Sequence, residues 1–393
     1  MKTTRRRRPA DIVMLGTFGV WTRGTLQSRA LPFARTITAS TGLDVAIVTT
    51  PWDVPDAAGA SEEVDGVRIF NTVSHRPASA PLAAAEQLRL VRELNPGIIH
   101  VMKPKGFGGL AAATRRLLPR GSRLVVDADD WEGDGGWNDA GSYGLLPRRL
   151  FARQETDLIR RADAVTAAST LLDERARRLR RQRSESGVKF LPNGLDREWA
   201  RRLGAATPQH GSTTPRVLLY SRFAEFSLAW LQEFVAALDR GVDESLRLEF
   251  VGDFDPAALA EMALGNLTLH SHGYVERERI PEILAGATVA VFPYEDTLIN
   301  RAKQSVKLLE LMASGRPVVA TDVGDVARIA GDAVVICPTT DPADFARRVL
   351  SLLAHDEQRQ ALSARARKRA AEYTIDRLAP RLLDVYRNLG LAA

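Results

Sequence analysis

The stretch from Asn300 to Pro317 gathers side chains suited to hold an anion beside a sugar hydroxyl. Leu308, Leu311 and Met312 recur at i, i+3, i+4, the spacing of an amphipathic helix, and Gly315 and Pro317 end it. Ser305 is placed to cap its start, leaving the amides of 305–307, Val306 among them, to face a phosphate. Lys303 and Lys307 flank that end, and Glu310 follows about one turn later, where a carboxylate takes ribose hydroxyls. The same spacing suits a plain surface helix closed by a glycine, and periodicity does not separate the two.

A second concentration spans Val125–Trp137. Five carboxylates (Asp127, Asp129, Asp130, Glu132, Asp134) and two tryptophans, Trp131 and Trp137, follow a buried-strand pattern. Clustered carboxylates suit a hard cation. Carboxylates with aromatic rings also suit a sugar acceptor, and an acidic solvated loop is the third reading. Other candidates sit after apolar runs: Gly16-Thr17-Phe18-Gly19, whose glycines admit close backbone approach, and Lys103-Pro104-Lys105-Gly106, either lining a cleft or plain surface charge. His100 reads equally as packed or functional.

These residues need elements to position them. Short apolar runs at Asp11–Leu15, Val45–Thr49, Ile98–Met102, Leu124–Val126, Ala164–Ala167 and Val188–Leu191 alternate with helix-length segments. That alternation specifies βαβ units and a parallel sheet. The turn-rich stretch 204–215 reads as a linker, after which the pattern restarts at Val217–Tyr220 and continues through Leu246–Val251, Leu267–Leu269, Thr288–Phe292, Pro317–Ala320 and Ala333–Ile336. Helices at about 341–353, 356–372 and 375–389 close the chain. The expected order is a basic tail (1–10), a first α/β domain (11–203), the linker, a second α/β domain (216–374) and a terminal helix (375–393). Both domains are expected to be doubly wound and to face a cleft.

Composition narrows the class. With 393 residues, 45% hydrophobic and 26% charged, the chain is that of a globular protein rather than a disordered or fibrous one. Cys337 is the one cysteine, so no intrachain disulfide forms and a reducing, cytoplasmic setting is expected. No run approaches the roughly 18 apolar residues of a membrane span, and Ile12–Leu15 is too short for a signal-peptide core. The net charge is +6, and residues 1–10 alone hold five cations and no acid. A second excess, fifteen Lys and Arg against eight Asp and Glu, lies at 147–202, with arginines at 175, 177, 178, 180, 181 and 183 around a stripe of Leu172, Ala176 and Leu179. It is either a solvated face or a contact with a membrane surface; no aromatic-interleaved basic motif points to nucleic acid.

Residues 303–324 resemble the nucleotide-sugar segment of GT-B glycosyltransferases, in particular glycosyltransferase family 4. Glu310 through Ala320 matches the second half of that family's Glu-x7-Glu pattern, while Ala302 stands where the first Glu falls. Tyr220-Ser221-Arg222-Phe223 resembles the strand end whose Arg meets the diphosphate, with Phe226 in place of the family's Lys. Val251-Gly252-Asp253, His272-Gly273-Tyr274-Val275 and Leu191-Pro192-Asn193-Gly194-Leu195-Asp196 resemble further family segments in the same order. The resemblance implies two Rossmann-like domains and retaining, metal-independent transfer from a nucleotide-diphosphate sugar, such as a UDP-sugar, to a hydroxyl acceptor. It implies no cofactor besides the donor. Gly19, Arg222, Tyr274, Lys303, Ser305, Val306, Lys307 and Glu310 then hold the donor. Arg222 and Lys307 offset the leaving charge, and Asp129 and Asp130, with Trp131, face the acceptor where the family often has a His-Asp pair. The Asp-x-Asp at Asp127 and Asp129 matches instead the metal motif of GT-A transferases, which two similar domains argue against. An epimerase on the same fold, or a GT-like membrane-associated protein without turnover, are the alternatives.

Overall fold

The computed structural model describes residues 8–22, 24–114, 117–141, 143–181, 187–207 and 214–392. Most of the expected tail, Arg183 and the middle of the expected linker (208–213) lie outside them.

In the first unit, eight strands form one sheet: β1 (Ile12–Leu15), β2 (Val45–Thr49), β3 (Ser61–Val64), β4 (Val67–Asn71), β5 (Ile98–Met102), β6 (Arg123–Ala128), β7 (Ala164–Ala167) and β8 (Val188–Phe190). Their order is β3-β4-β2-β1-β5-β6-β7-β8, parallel except for the β3–β4 hairpin. Alternate residues of β1 serve opposite faces. Val13 and Leu15 pack under the helices Ala80–Leu94 and Leu145–Arg161, and Ile12 and Met14 under Leu31–Thr41 and the terminal helix Ile375–Asn388. The hairpin is absent from the sequence-based expectation. Its turn is Asp65-Gly66, both at positive φ (49° and 80°), as a two-residue turn matching strand twist requires.

The second unit has six parallel strands: β9 (Arg216–Tyr220), β10 (Leu246–Val251), β11 (Leu267–Ser271), β12 (Val289–Phe292), β13 (Val318–Thr321) and β14 (Val335–Cys337). The order β11-β10-β9-β12-β13-β14 is the doubly wound one, with the winding reversing between β9 and β12. In the first unit the reversal falls between β1 and β5. Sheets of this kind bind ligands at the carboxyl ends of the strands beside that reversal.

The division between units departs from the composition-based boundary. The first unit comprises Met1–Asn193, Ala302–Gln304 and Ile375–Ala393; the second comprises Gly194–Arg301 and Ser305–Thr374. Residues 194–203 thus belong to the second unit, not the first. The physical reason is the helix Arg197–Ala205, whose buried Trp199 and Leu203 join the second unit's core with Leu308, Leu311 and Met312.

Candidate active site

At the second sheet's reversal, Tyr220 and Ser221 from the end of β9, Tyr294 beyond β12, and Ser305 and Lys307 line a recess. The helix Val306–Ala313 starts there. Ser305 caps it, its Oγ accepting the Lys307 amide at 3.3 Å, so one of the three amides expected to face an anion is already capped. The Lys307 ammonium lies 5.1 Å from the centre of the Tyr220 ring. One turn on, Glu310 is buried and its Oε1 accepts the Trp199 indole N–H at 2.8 Å. A carboxylate has further acceptor positions beyond this one bond.

The strand ends around Arg222 are fixed by backbone. Ser221 Oγ accepts the Phe223 amide at 2.9 Å and donates to Glu225 at 2.7 Å, with Phe223 held at φ 60°. Gly252, at φ 137°, donates its amide to the Gly273 carbonyl at 2.9 Å, and a Cβ there would sit 2.1 Å from the Ser221 carbonyl oxygen. Arg222 and Tyr274 are both exposed on these turns. Phe226, where the resembled family carries a cation, packs with Phe223 and Trp230 in an aromatic cluster.

Lys303, two positions before the cap, is grouped with the first unit, its ammonium 5.9 Å from the Trp137 ring centre. Ala302 is fully buried in the first unit's core. A Glu there would bury a charge among aliphatic side chains, which explains why the first carboxylate of the pattern is missing.

In the first unit the carboxylates after β6 meet lysines after β5. Lys103, at φ 66°, places its ammonium 2.8 Å from Asp130, 3.2 Å from Glu132 and 3.9 Å from Asp129. Burial opposes that charge, but the three carboxylates outweigh it and hold Lys103 well above its usual range. Lys105 pairs with Glu132. The two lysines are therefore ion-paired and largely removed from solvent rather than plain surface charge. Asp129 is 8% exposed; its Oδ2 accepts the Thr25 hydroxyl at 2.5 Å, and its Oδ1 has no hydrogen-bond partner. Burial pushes its pKa up to about 7, with Lys103 opposing and Asp130 adding to the rise. Burial acts the same way on Asp130, but Lys103 overcomes it and holds that carboxyl below its ordinary value. Adjacent carboxyls pushed apart in this way can serve different chemical roles.

The neighbouring groups are structural. Asp127 is bound through both oxygens by buried Arg29, at 2.7 and 2.8 Å, so it is not shared with Asp129. His100 is a packed histidine: Nδ1 meets the Tyr386 hydroxyl at 2.7 Å and Nε2 the Thr166 hydroxyl at 3.3 Å. One face of the half-buried Trp131 is covered by the Arg175 guanidinium, 4.1 Å from the ring centre. Gly19 donates its amide to Asp53 at 2.6 Å, and a Cβ would meet Val54 at 2.6 Å, so its backbone is engaged within its own unit. Among the described residues of the first unit, the exposed large aromatics are Trp21 and Trp52, the latter 5.9 Å from Phe18. Sequence reasoning singled out neither them nor Thr25 and Trp199, since nothing in spacing marks them.

Comparison with known proteins places the family. Residues 24–194 match the model of a glycosyl transferase 4-like domain, and residues 214–355 that of glycosyl transferases group 1. A D-inositol 3-phosphate glycosyltransferase of Nocardiopsis dassonvillei is 27% identical over 259 residues, 60% of this chain and 58% of that protein. One from Corynebacterium urealyticum is 37% identical over 83 residues, 21% of this chain and 20% of that protein. The match thus spans less than two thirds of either relative. Sucrose-phosphate synthase from Thermosynechococcus elongatus superposes with a TM-score of 0.73 at 19% identity, covering 98% of this chain and 100% of that one. Anabaena HepE, in complex with UDP and glucose, gives 0.63 at 15% identity, covering 96% and 99%. With a 4-like domain followed by a group 1 domain on two doubly wound sheets, the chain belongs to the GT-B glycosyltransferases.

Proposed function

We propose that this chain moves a sugar from a nucleotide-diphosphate sugar to a hydroxyl acceptor, with the second unit taking the donor and the first the acceptor. The observation that carries it is the placement of a capped helix start, Lys307 and Glu310 together at the second sheet's winding reversal. Glu310 takes the ribose, while Lys307, Arg222 and the helix N-terminus take the diphosphate and offset its growing charge as the glycosidic bond breaks. Asp129, with an oxygen lacking a partner, receives the acceptor hydroxyl beside Asp130. Transfer proceeds with retention and needs no metal or strong enzymic base, because the departing phosphate oxygen takes the acceptor proton. The relatives' names make a polyol hydroxyl the first acceptor to try. HepE makes UDP the first nucleotide. The test is calorimetric titration of UDP, then GDP and ADP, into wild type and Glu310→Ala. The variant is expected to lose about tenfold or more in affinity, the worth of a charge-assisted hydrogen bond. Equal affinity overturns the site.

A further inference from the structure

The helix Leu145–Arg161 buries Gln154, Glu155, Leu158 and Ile159. Its other side, an arc of about 160° at 3.6 residues per turn, carries Leu145, Leu146, Arg149, Leu150, Arg153, Arg160 and Arg161. Leu145, Leu146 and Leu150 are 73%, 79% and 49% exposed, large apolar groups left in water on one face. A groove of about 950 Å³ runs along one edge of this face, between Leu150, Arg153, Asp157 and Arg161 of the helix and Leu110 and Leu117. Four arginines share the arc with a single carboxylate, Asp157, which lies 3.6 Å from Arg153. In the arginine-rich helix Thr170–Arg180, by contrast, three of the four arginines are engaged within the unit and Arg178 stays exposed. Arg175 holds Glu155, Arg177 holds Asp173, and Arg180 donates to the carbonyls of Ile159 and Ala162.

We propose that the outward face of Leu145–Arg161 docks on an anionic lipid surface. Leucines interleaved with arginines suit the boundary between headgroups and acyl chains: the leucines enter, and the long arginine stems lie along apolar surface with their guanidiniums at the phosphates. A second copy of this chain fits less well, because a two-fold contact would set the same four arginines against one another. No helix among the described residues is long and apolar enough to cross a membrane, so contact through this face is peripheral.

The test is co-sedimentation of the full chain with phosphatidylcholine vesicles, with and without phosphatidylglycerol. Binding is expected only with the anionic lipid, falling as salt rises. Arg149→Glu with Arg153→Glu should cut partitioning by more than about tenfold, two reversed charges at the surface. Leu145→Ser with Leu146→Ser should cut it at every salt concentration. Unchanged melting curves would show that both variants stay folded. Equal binding to neutral vesicles, or wild-type binding by both variants, would overturn the proposal. So would sedimentation velocity showing a dimer that the variants dissociate.

Discussion

Asp129 and His100 are buried titratable groups of one unit whose linkages to folding run in opposite directions. Burial raises Asp129 to about 7, above its unfolded value near 3.9, so the folded state holds a proton that the unfolded chain has released. Its contribution is fully present below the unfolded value and is lost as pH rises through about 7. Burial lowers His100 to about 4, below its unfolded value of roughly 6.5. That contribution is present above the unfolded value and is lost as pH falls through about 4. Between these limits the two slopes offset each other. Asp129→Asn should therefore stabilise the protein at pH 8 by a few kcal/mol, gain less at pH 5, and uncover the acid-side loss owed to His100. Urea unfolding across pH 4–8 checks this; a variant whose stability follows the wild-type profile would show that Asp129 is ionised in the folded protein. The clustering of these carboxylates was visible in the sequence. Their division of roles was not, because it depends on Lys103, 26 positions before Asp129 and brought there only by the β5–β6 pairing.

At the scale of elements, what the sequence revealed depended on how local the governing interaction is. β2, β5 and β7 lie where unbroken apolar runs put them, because a strand buried on both faces needs nothing else. The β3–β4 hairpin is marked in the sequence only by its Asp65-Gly66 turn, because the exposed Ser61-Glu62-Glu63 carries no apolar run. Residues 197–203 fall in the second unit because the helix Arg197–Ala205 docks on that core, and composition near a turn-rich stretch does not specify what a segment docks on. Its docking bears on the proposed donor site. Trp199 donates to Glu310 and lies under Arg277, whose guanidinium is 4.4 Å from the ring centre. Trp199→Phe keeps the apolar contact but removes the N–H that orients Glu310. Expected is a loss of several-fold in nucleotide affinity, with stability falling by about 1 kcal/mol. Calorimetry and chemical unfolding on one preparation measure both. Unchanged affinity would mean that Glu310 is oriented by its helix alone. Ser305→Ala gives a matched comparison, since it removes the cap at the same helix and should also cost about 1 kcal/mol.

For the whole molecule, the doubly wound architecture was legible because two separate strand–helix series cannot easily pack otherwise. The exchange of short segments was not, since the turn-rich 204–215 stretch looked like the natural border while the units part at Asn193. The terminal segment shows what this exchange implies for stability. Ile375, Leu378, Leu382, Leu383 and Tyr386 sit in the core beneath β1, β2 and β5, and the Tyr386 hydroxyl meets His100. The first unit is therefore completed by the last residues of the chain, and the second is built without them. Deleting 375–393 should open the first unit's core while leaving the second unit's sheet, its capped helix and Glu310 intact. In differential scanning calorimetry the first unit's transition should fall by many degrees or vanish and the second unit's should stay, with the UDP affinity of the second unit preserved. Tyr386→Phe isolates the polar part, leaving the His100 nitrogen without its partner for about 1 kcal/mol. Loss of both transitions in the truncated chain would show that the second unit depends on the terminal helix, contrary to the division of contacts on which this expectation rests.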